Sequence, residues 1–138
     1  MIFVDTSVWI DRLADRVTSQ TVLFDDLLRV RRPIVIGDLV LTEILQGARN
    51  DSHADRLLAR LAQFARIPIV DSSCAIEAAR NYRLLRAKGV TIRKTIDTLI
   101  ATRCILDDVP LLYSDRDFDP FVEHLGLTSA LDLGSGVN

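Results

Sequence analysis

An α/β fold on a central parallel sheet follows from three features of the sequence. Four short, continuously apolar runs occur at residues 2–4, 33–36, 67–70 and 111–113. Strands without polar alternation are buried on both faces, the signature of a parallel sheet covered by helices. Segments of helical periodicity separate each run from the next, the alternation that defines this class. The chain has 138 residues, which fits one domain with a sizeable core.

Taken in order, residues 2–4 form the first strand. Asp5-Thr6-Ser7 then opens a helix carrying Val8, Trp9, Ile10 and Leu13. Thr18 or Ser19 caps a second helix with Val22, Leu23, Leu27 and Leu28 on its apolar face. The run at 33–36 is the second strand, closed by Gly37, and Asp38 caps a helix reaching about residue 47. Another helix covers about 52–65. The run at 67–70 is the third strand, placed at an edge because Pro68 cannot donate a ladder hydrogen bond. A helix over about 73–88 stops at Gly89, and the next spans about 93–106. Residues 111–113 form the fourth strand, about 118–124 a short helix, and 127–131 a candidate fifth strand. Residues 1–133 are expected to make a single domain, with 134–138 a flexible tail.

Composition narrows the function. With 49% hydrophobic and 26% charged residues, the chain is globular, not disordered. A net charge of −2 gives no global attraction to nucleic acid. The average hides an asymmetry: residues 78–96 contain Arg80, Arg83, Arg86, Lys88, Arg93 and Lys94 and no acid. Eleven of the 17 basic residues are left to face all 19 acidic ones elsewhere. Cys74 and Cys104 read as buried thiols, with a disulfide the alternative. Together with His53 and His124 they lack zinc-site spacing. The N-terminal stretch has no basic leader, Asp5 interrupts it, and no run approaches ~20 apolar residues. A cytoplasmic protein without membrane contact is expected.

Five carboxylates stand out against this background. Asp5 follows the first strand, and Asp115 and Asp117 follow the fourth, at the strand ends where open parallel sheets gather ligands. Glu43 projects between Leu39 and Val40, with Gly47 one turn on to leave it space. Asp97 shares a helix face with Ile100, Ala101 and Cys104. A helix-cap reading accounts for Asp5 and Asp115, but not for two acids inside apolar helix faces. Two carboxylates ~4 Å apart repel by ~4 kcal/mol at an effective dielectric of about 20. A cluster of them therefore calls for protonation or a cation. All-oxygen donors suit Mg²⁺ or Mn²⁺. No histidine lies near any of the five in sequence, which disfavours histidine acid–base cleavage of RNA.

Four stretches, in this order, resemble the PIN-domain ribonucleases: Asp5-Thr6-Ser7, Glu43 within Leu39 to Gly47, Thr95-Ile96-Asp97-Thr98-Leu99-Ile100-Ala101, and Ser114-Asp115-Arg116-Asp117-Phe118. Within that family the chain is most similar to the VapC-type toxins of bacterial toxin–antitoxin modules. The resemblance implies a three-layer α/β/α sandwich with a central parallel sheet of four to five strands. It also implies a Mg²⁺- or Mn²⁺-dependent endoribonuclease acting on transfer or ribosomal RNA, inhibited by a cognate antitoxin and homodimeric. By the same match Asp5, Glu43, Asp97 and Asp115 are catalytic, and Asp5, Asp97, Asp115 and Asp117 surround the metal. Thr6 and Ser7 orient the first acid. With the helix reaching back to residue 93, Arg93 falls one turn from Asp97, and Arg93 or Lys94 is expected to contact substrate phosphate. A solvated basic face is the alternative. Val8, Trp9, Val22, Leu23 and Phe24 form either a groove for a partner helix or part of the core.

Two rival functions remain at this level. An aspartyl-phosphate phosphatase commonly needs a second acid two residues after the first, where this chain has Ser7. A catalytically silent RNA-binding module has no need of all four acids.

Overall fold

Ile2, Phe3 and Val4 are apolar without alternation because β1 (Ile2–Val4) is an interior strand, buried at every residue. In the computed structural model, which describes residues 1–134, β1 pairs in parallel with β2 (Ile34–Gly37) and β4 (Leu111–Leu112). The edge strand β3 (Ala65–Ile67) lies against β2, giving the order β3-β2-β1-β4. Helices α1 (Thr6–Leu13) and α2 (Ser19–Arg29) follow β1; α3 (Asp38–Gln46) and α4 (Asp51–Leu61) follow β2. Next come α5 (Ser72–Ala87) and α6 (Thr95–Leu106) after β3. Beyond β4 the chain makes a 3₁₀ turn at Arg116–Phe118, then α7 (Asp119–Leu125) and α8 (Ala130–Leu133). The helices flank the parallel sheet as an α/β/α sandwich.

This order fixes the site. The chain builds outward from β1 through β2 to β3, then returns to place β4 on the other side of β1. The crevice beyond the carboxyl ends of β1 and β4 is thus the topological switch point, where such sheets bind ligands. Asp5 is tied into that crevice by its own backbone, whose N–H donates to Leu112 O at 2.9 Å.

Local chemistry explains most boundaries. Thr18 and Thr21 form a reciprocal capping box at the start of α2. Asn50 caps α4 through His53 N–H, and Asp71 caps α5 through Cys74 N–H. Gly89, at φ 82°, ends the turn after α5 in the left-handed region. Gly37 is required by close approach: a Cβ there would lie 2.6 Å from Phe3 Cζ and 2.4 Å from Ile69 Cδ1.

Several boundaries differ from the sequence reading. The third strand comes two residues early, at Ala65–Ile67, because Pro68 has no N–H to continue pairing; α4 correspondingly ends at Leu61. Asp38 is the first helical residue, not the cap. Its carboxylate instead accepts from Ile69 N–H at 3.1 Å, tying α3 to the segment after β3. Residues 127–131 form no strand: Ser129 makes an isolated bridge to Leu111, and α8 begins at Ala130. Residues 135–138 of the expected tail lie outside the described residues.

The apolar residues of the early helices are mostly core. Trp9 is 2% exposed, its Nε1 donates to Val4 O at 3.0 Å, and its ring meets Phe24 and Phe64 edge-on at 5.0 and 4.8 Å. Val8, Leu23 and Phe24 are also buried, leaving only Val22 of that set on the surface. Cys74 and Cys104 are buried free thiols. No described helix is long and apolar enough to cross a membrane.

Candidate metal centre

Asp5 illustrates how one residue serves a cap and a site together. It is the N-cap of α1, and Oδ2 alone accepts both Ser7 N–H at 3.1 Å and Ser7 Oγ–H at 2.7 Å. The same Ser7 hydroxyl accepts from Ser114 N–H at 3.2 Å, so one side chain ties the end of β1 to the end of β4. Asp5 as a whole is 4% exposed. Burial pushes its pKa up, the hydrogen bonds from Ser7 and Thr6 pull it down, and the charge on Glu43 raises it.

Asp97 enters from the first turn of α6 and is also 4% exposed. The inward face predicted for it is the one observed, since Ile100, Ala101 and Cys104 are buried beside it. Its Oδ2 is buried and has no hydrogen-bond partner. Burial and the nearby charge on Asp5 raise its pKa to about 7; Lys94 opposes them, while Asp115 and Glu43 add to the rise. A carboxylate in this state lacks a proton or a cation.

Asp115 repeats the cap logic on the 3₁₀ turn, with Oδ1 accepting Asp117 N–H at 2.9 Å. One oxygen each from Asp97, Asp115 and Asp117 lie within 4.8 Å of one another. Asp5 stands beside this triad, close enough to perturb Asp97. Glu43 is half-buried on the rim. Three converging hard oxygens, with a buried unpaired oxygen on one of the same carboxylates, fit a Mg²⁺- or Mn²⁺-sized cation better than zinc. Zinc sites favour thiolate and imidazole ligands, which this cluster lacks.

Three site details depart from the sequence reading. Thr6 Oγ–H donates to Glu43 Oε1 at 2.7 Å, so Thr6 positions the second acid while Ser7 alone of the two hydroxyls holds the first. Gly47 is an exposed C-cap, near only the Ile44 and Glu43 carbonyl oxygens, and makes no space for the Glu43 carboxylate. Arg93 lies outside α6, which begins at Thr95 with Lys94 as N-cap. Its guanidinium instead contacts both oxygens of Asp117 at 3.2 Å, a pairing the sequence spacing did not signal. Lys94 Nζ lies 3.8 Å from Asp115 Oδ2.

The carboxylates at the switch point of a β3-β2-β1-β4 sheet thus come from the ends of β1 and β4 and the start of α6. The sequence profile of the PIN domain matches residues 2–122, and the chain belongs to the PIN-domain family. Among its relatives are VapC ribonuclease Mb1587 of Mycobacterium bovis and ribonuclease VapC11 of Mycobacterium tuberculosis. Each is 30% identical over 132 residues, covering 94% of this chain and 98% of the relative. Solved structures show the same fold. VapBC2 of Rickettsia felis, bound to a promoter DNA fragment, superposes with a TM-score of 0.74 at 20% identity, covering 94% of this chain and 97% of that one. VapBC-1 of Haemophilus influenzae gives 0.71 at 16% identity, covering 94% and 96%. FitAcB of Neisseria gonorrhoeae gives 0.69 at 20%, covering 94% and 96%.

Proposed function

We propose that this chain is the toxin of a toxin–antitoxin pair and an endoribonuclease that hydrolyses RNA phosphodiester bonds with Mg²⁺ or Mn²⁺. The observation that carries the reading is the convergence of one carboxylate oxygen each from Asp97, Asp115 and Asp117, together with the buried, partnerless Oδ2 of Asp97. Supporting it are the relatives covered over 98% of their length, which are named as ribonucleases, and a neighbouring fold from Klebsiella pneumoniae, which was solved as a toxin–antitoxin complex.

Asp97, Asp115 and Asp117 would hold the ion directly, with Asp5 completing the negative cup. When bound, such an ion polarises a phosphoryl oxygen and lowers the pKa of a water. The protein's own contribution is rigidity. Ser7 locks the Asp5 carboxylate and, through Ser114 N–H, ties it to the β4 end, so Asp5 need not reorganise as charge develops. Thr6 fixes Glu43 at the rim, where it can accept a proton from an attacking water. Arg93 and Lys94, exposed at the mouth, are suited to the substrate phosphates, which supply sequence-independent affinity. Asp5, Glu43, Asp97 and Asp115 are thus the catalytic set.

The antitoxin and a second copy of the chain are the proposed protein partners. With Trp9 and Phe24 buried, the apolar groups that α1, α2 and the turn between them offer a partner are Ile10, Val17 and Val22, exposed by 44, 86 and 49%.

The test offers the purified protein a labelled RNA and a small phosphomonoester, with Mg²⁺ or with EDTA. Cleavage of the RNA alone, abolished by EDTA and by Asp5→Asn, is the expected result. Turnover of the monoester instead points to a phosphatase. RNA bound but left intact, with equal affinity for wild type and Asp5→Asn, points to a silent module.

A further inference from the structure

The acid cluster already carries cations of the chain's own. Arg93 Nη2 sits 3.2 Å from both oxygens of Asp117, and Lys94 Nζ sits 3.8 Å from Asp115 Oδ2. Both belong to the short non-helical segment before α6, next to buried Ile92; Arg93 lies at a bend and Lys94 is extended, at φ −119° and ψ 121°. Their side chains are 78 and 59% exposed, so the charge of the cluster, not packing, holds them there. They cover two of the three converging carboxylates and leave the third, Asp97, without a hydrogen-bond partner at Oδ2.

A divalent ion held by these three carboxylates needs an oxygen of Asp117, both of which Arg93 contacts, and the charge of Asp115, whose Oδ2 lies 3.8 Å from Lys94 Nζ. Like charges a few ångströms apart repel, so both sets of cations cannot hold the same oxygens. We propose that Arg93 and Lys94 are exchangeable counter-cations, displaced from Asp117 and Asp115 as the metal enters, and that displacement turns them to the RNA phosphate. Metal loading then builds the substrate-binding surface, and a cluster without metal keeps its cations to itself. The inference rests on the metal reading given above and adds the coupling between ion and RNA.

Exposed ion pairs are weak, so the handicap on ion affinity is modest, about two- to five-fold for Arg93. Loss of any positive charge strengthens cation binding somewhat, and Lys88→Ala controls for this. Lys88 is exposed, carries the same charge, and has no ion pair among the described residues.

Mn²⁺ binding is measured from the free-ion EPR signal for the full-length wild type, Arg93→Ala, Arg93→Ala/Lys94→Ala and Lys88→Ala. The proposal expects Mn²⁺ affinity to rise about two- to five-fold in Arg93→Ala and further in the double variant, with Lys88→Ala close to wild type. Equal gains in Arg93→Ala and Lys88→Ala overturn it, because only the general field is then at work. No Mn²⁺ binding by any of the four removes the metal reading itself and this inference with it. The second half is read with a 2′-deoxy oligonucleotide. Ca²⁺ should tighten its binding to wild type and much less to the double variant; an equal increment in both overturns the hand-over to phosphate.

Discussion

Asp97→Asn isolates the electrostatic cost of assembling the site. In the metal-free protein Asp97 titrates at about 7, against 3.8 as its ordinary value. A carboxyl whose pKa is raised by folding stabilises the folded state while protonated. That contribution is complete below about pH 3.8 and is lost as pH rises through about 7. Relative to the unfolded chain, in which the carboxyl is ionised at both pH values, Asp97 therefore costs about 4 kcal/mol at pH 8, where it is largely ionised in the fold. At pH 5.5, where the fold must take up a proton, it costs about 2 kcal/mol. Asparagine removes this dependence but buries an amide with no new partner, a penalty of about 1–3 kcal/mol that does not change with pH. The stability of the variant relative to wild type should thus rise by about 2 kcal/mol between pH 5.5 and pH 8, whatever the amide costs. Urea unfolding of both proteins in EDTA at the two pH values measures it. An offset of the same size at both pH values would refute the charge-repulsion argument, and added Mg²⁺ should shrink the offset at pH 8 by stabilising wild type alone.

Three further outcomes follow from the same geometry. Ser7→Ala removes the hydroxyl that holds Asp5 and bridges to Ser114 N–H, and should cost about 1–3 kcal/mol in urea and at least tenfold in RNA cleavage; full activity would show that Asp5 needs no anchor. Thr6→Val should lower cleavage through Glu43 while Thr6→Ser restores it, a pattern that a purely structural threonine would not give. Gly37→Ala drives a methyl into Phe3 and Ile69, both fully buried, and should destabilise by about 1–3 kcal/mol by thermal melting, with unchanged stability counting against the close approach.

Strands were legible wherever the sheet buries both faces. Ile2, Phe3 and Val4, and likewise Leu111 and Leu112, have no polar alternation because they have no solvent face. β3 was harder to place, since Ala65 and Arg66 are exposed on an edge and the apolar run that drew attention begins only at its last residue. Inward placement of Asp97 could be counted from helical periodicity, and the strand-end positions of Asp5 and Asp115 from strand length. Hydrogen-bond partners could not. Whether a hydroxyl at position 6 turns to Asp5 or to Glu43 depends on where α3 crosses α1, a tertiary distance with no trace in spacing. The start of α6 was misplaced for a related reason. No side chain caps it, and beside buried Ile92 the chain bends at Arg93 and becomes helical only at Thr95, so Arg93 reaches across to Asp117.

Sequencing the ends of RNA incubated with purified protein, with Mg²⁺ and with EDTA, beside Asp97→Asn, tests the central claim most directly. New ends at defined positions should form only with wild type and Mg²⁺. Cleavage that persists in EDTA, or that survives loss of the Asp97 charge, would contradict the assignment of chemistry to this cluster of carboxylates.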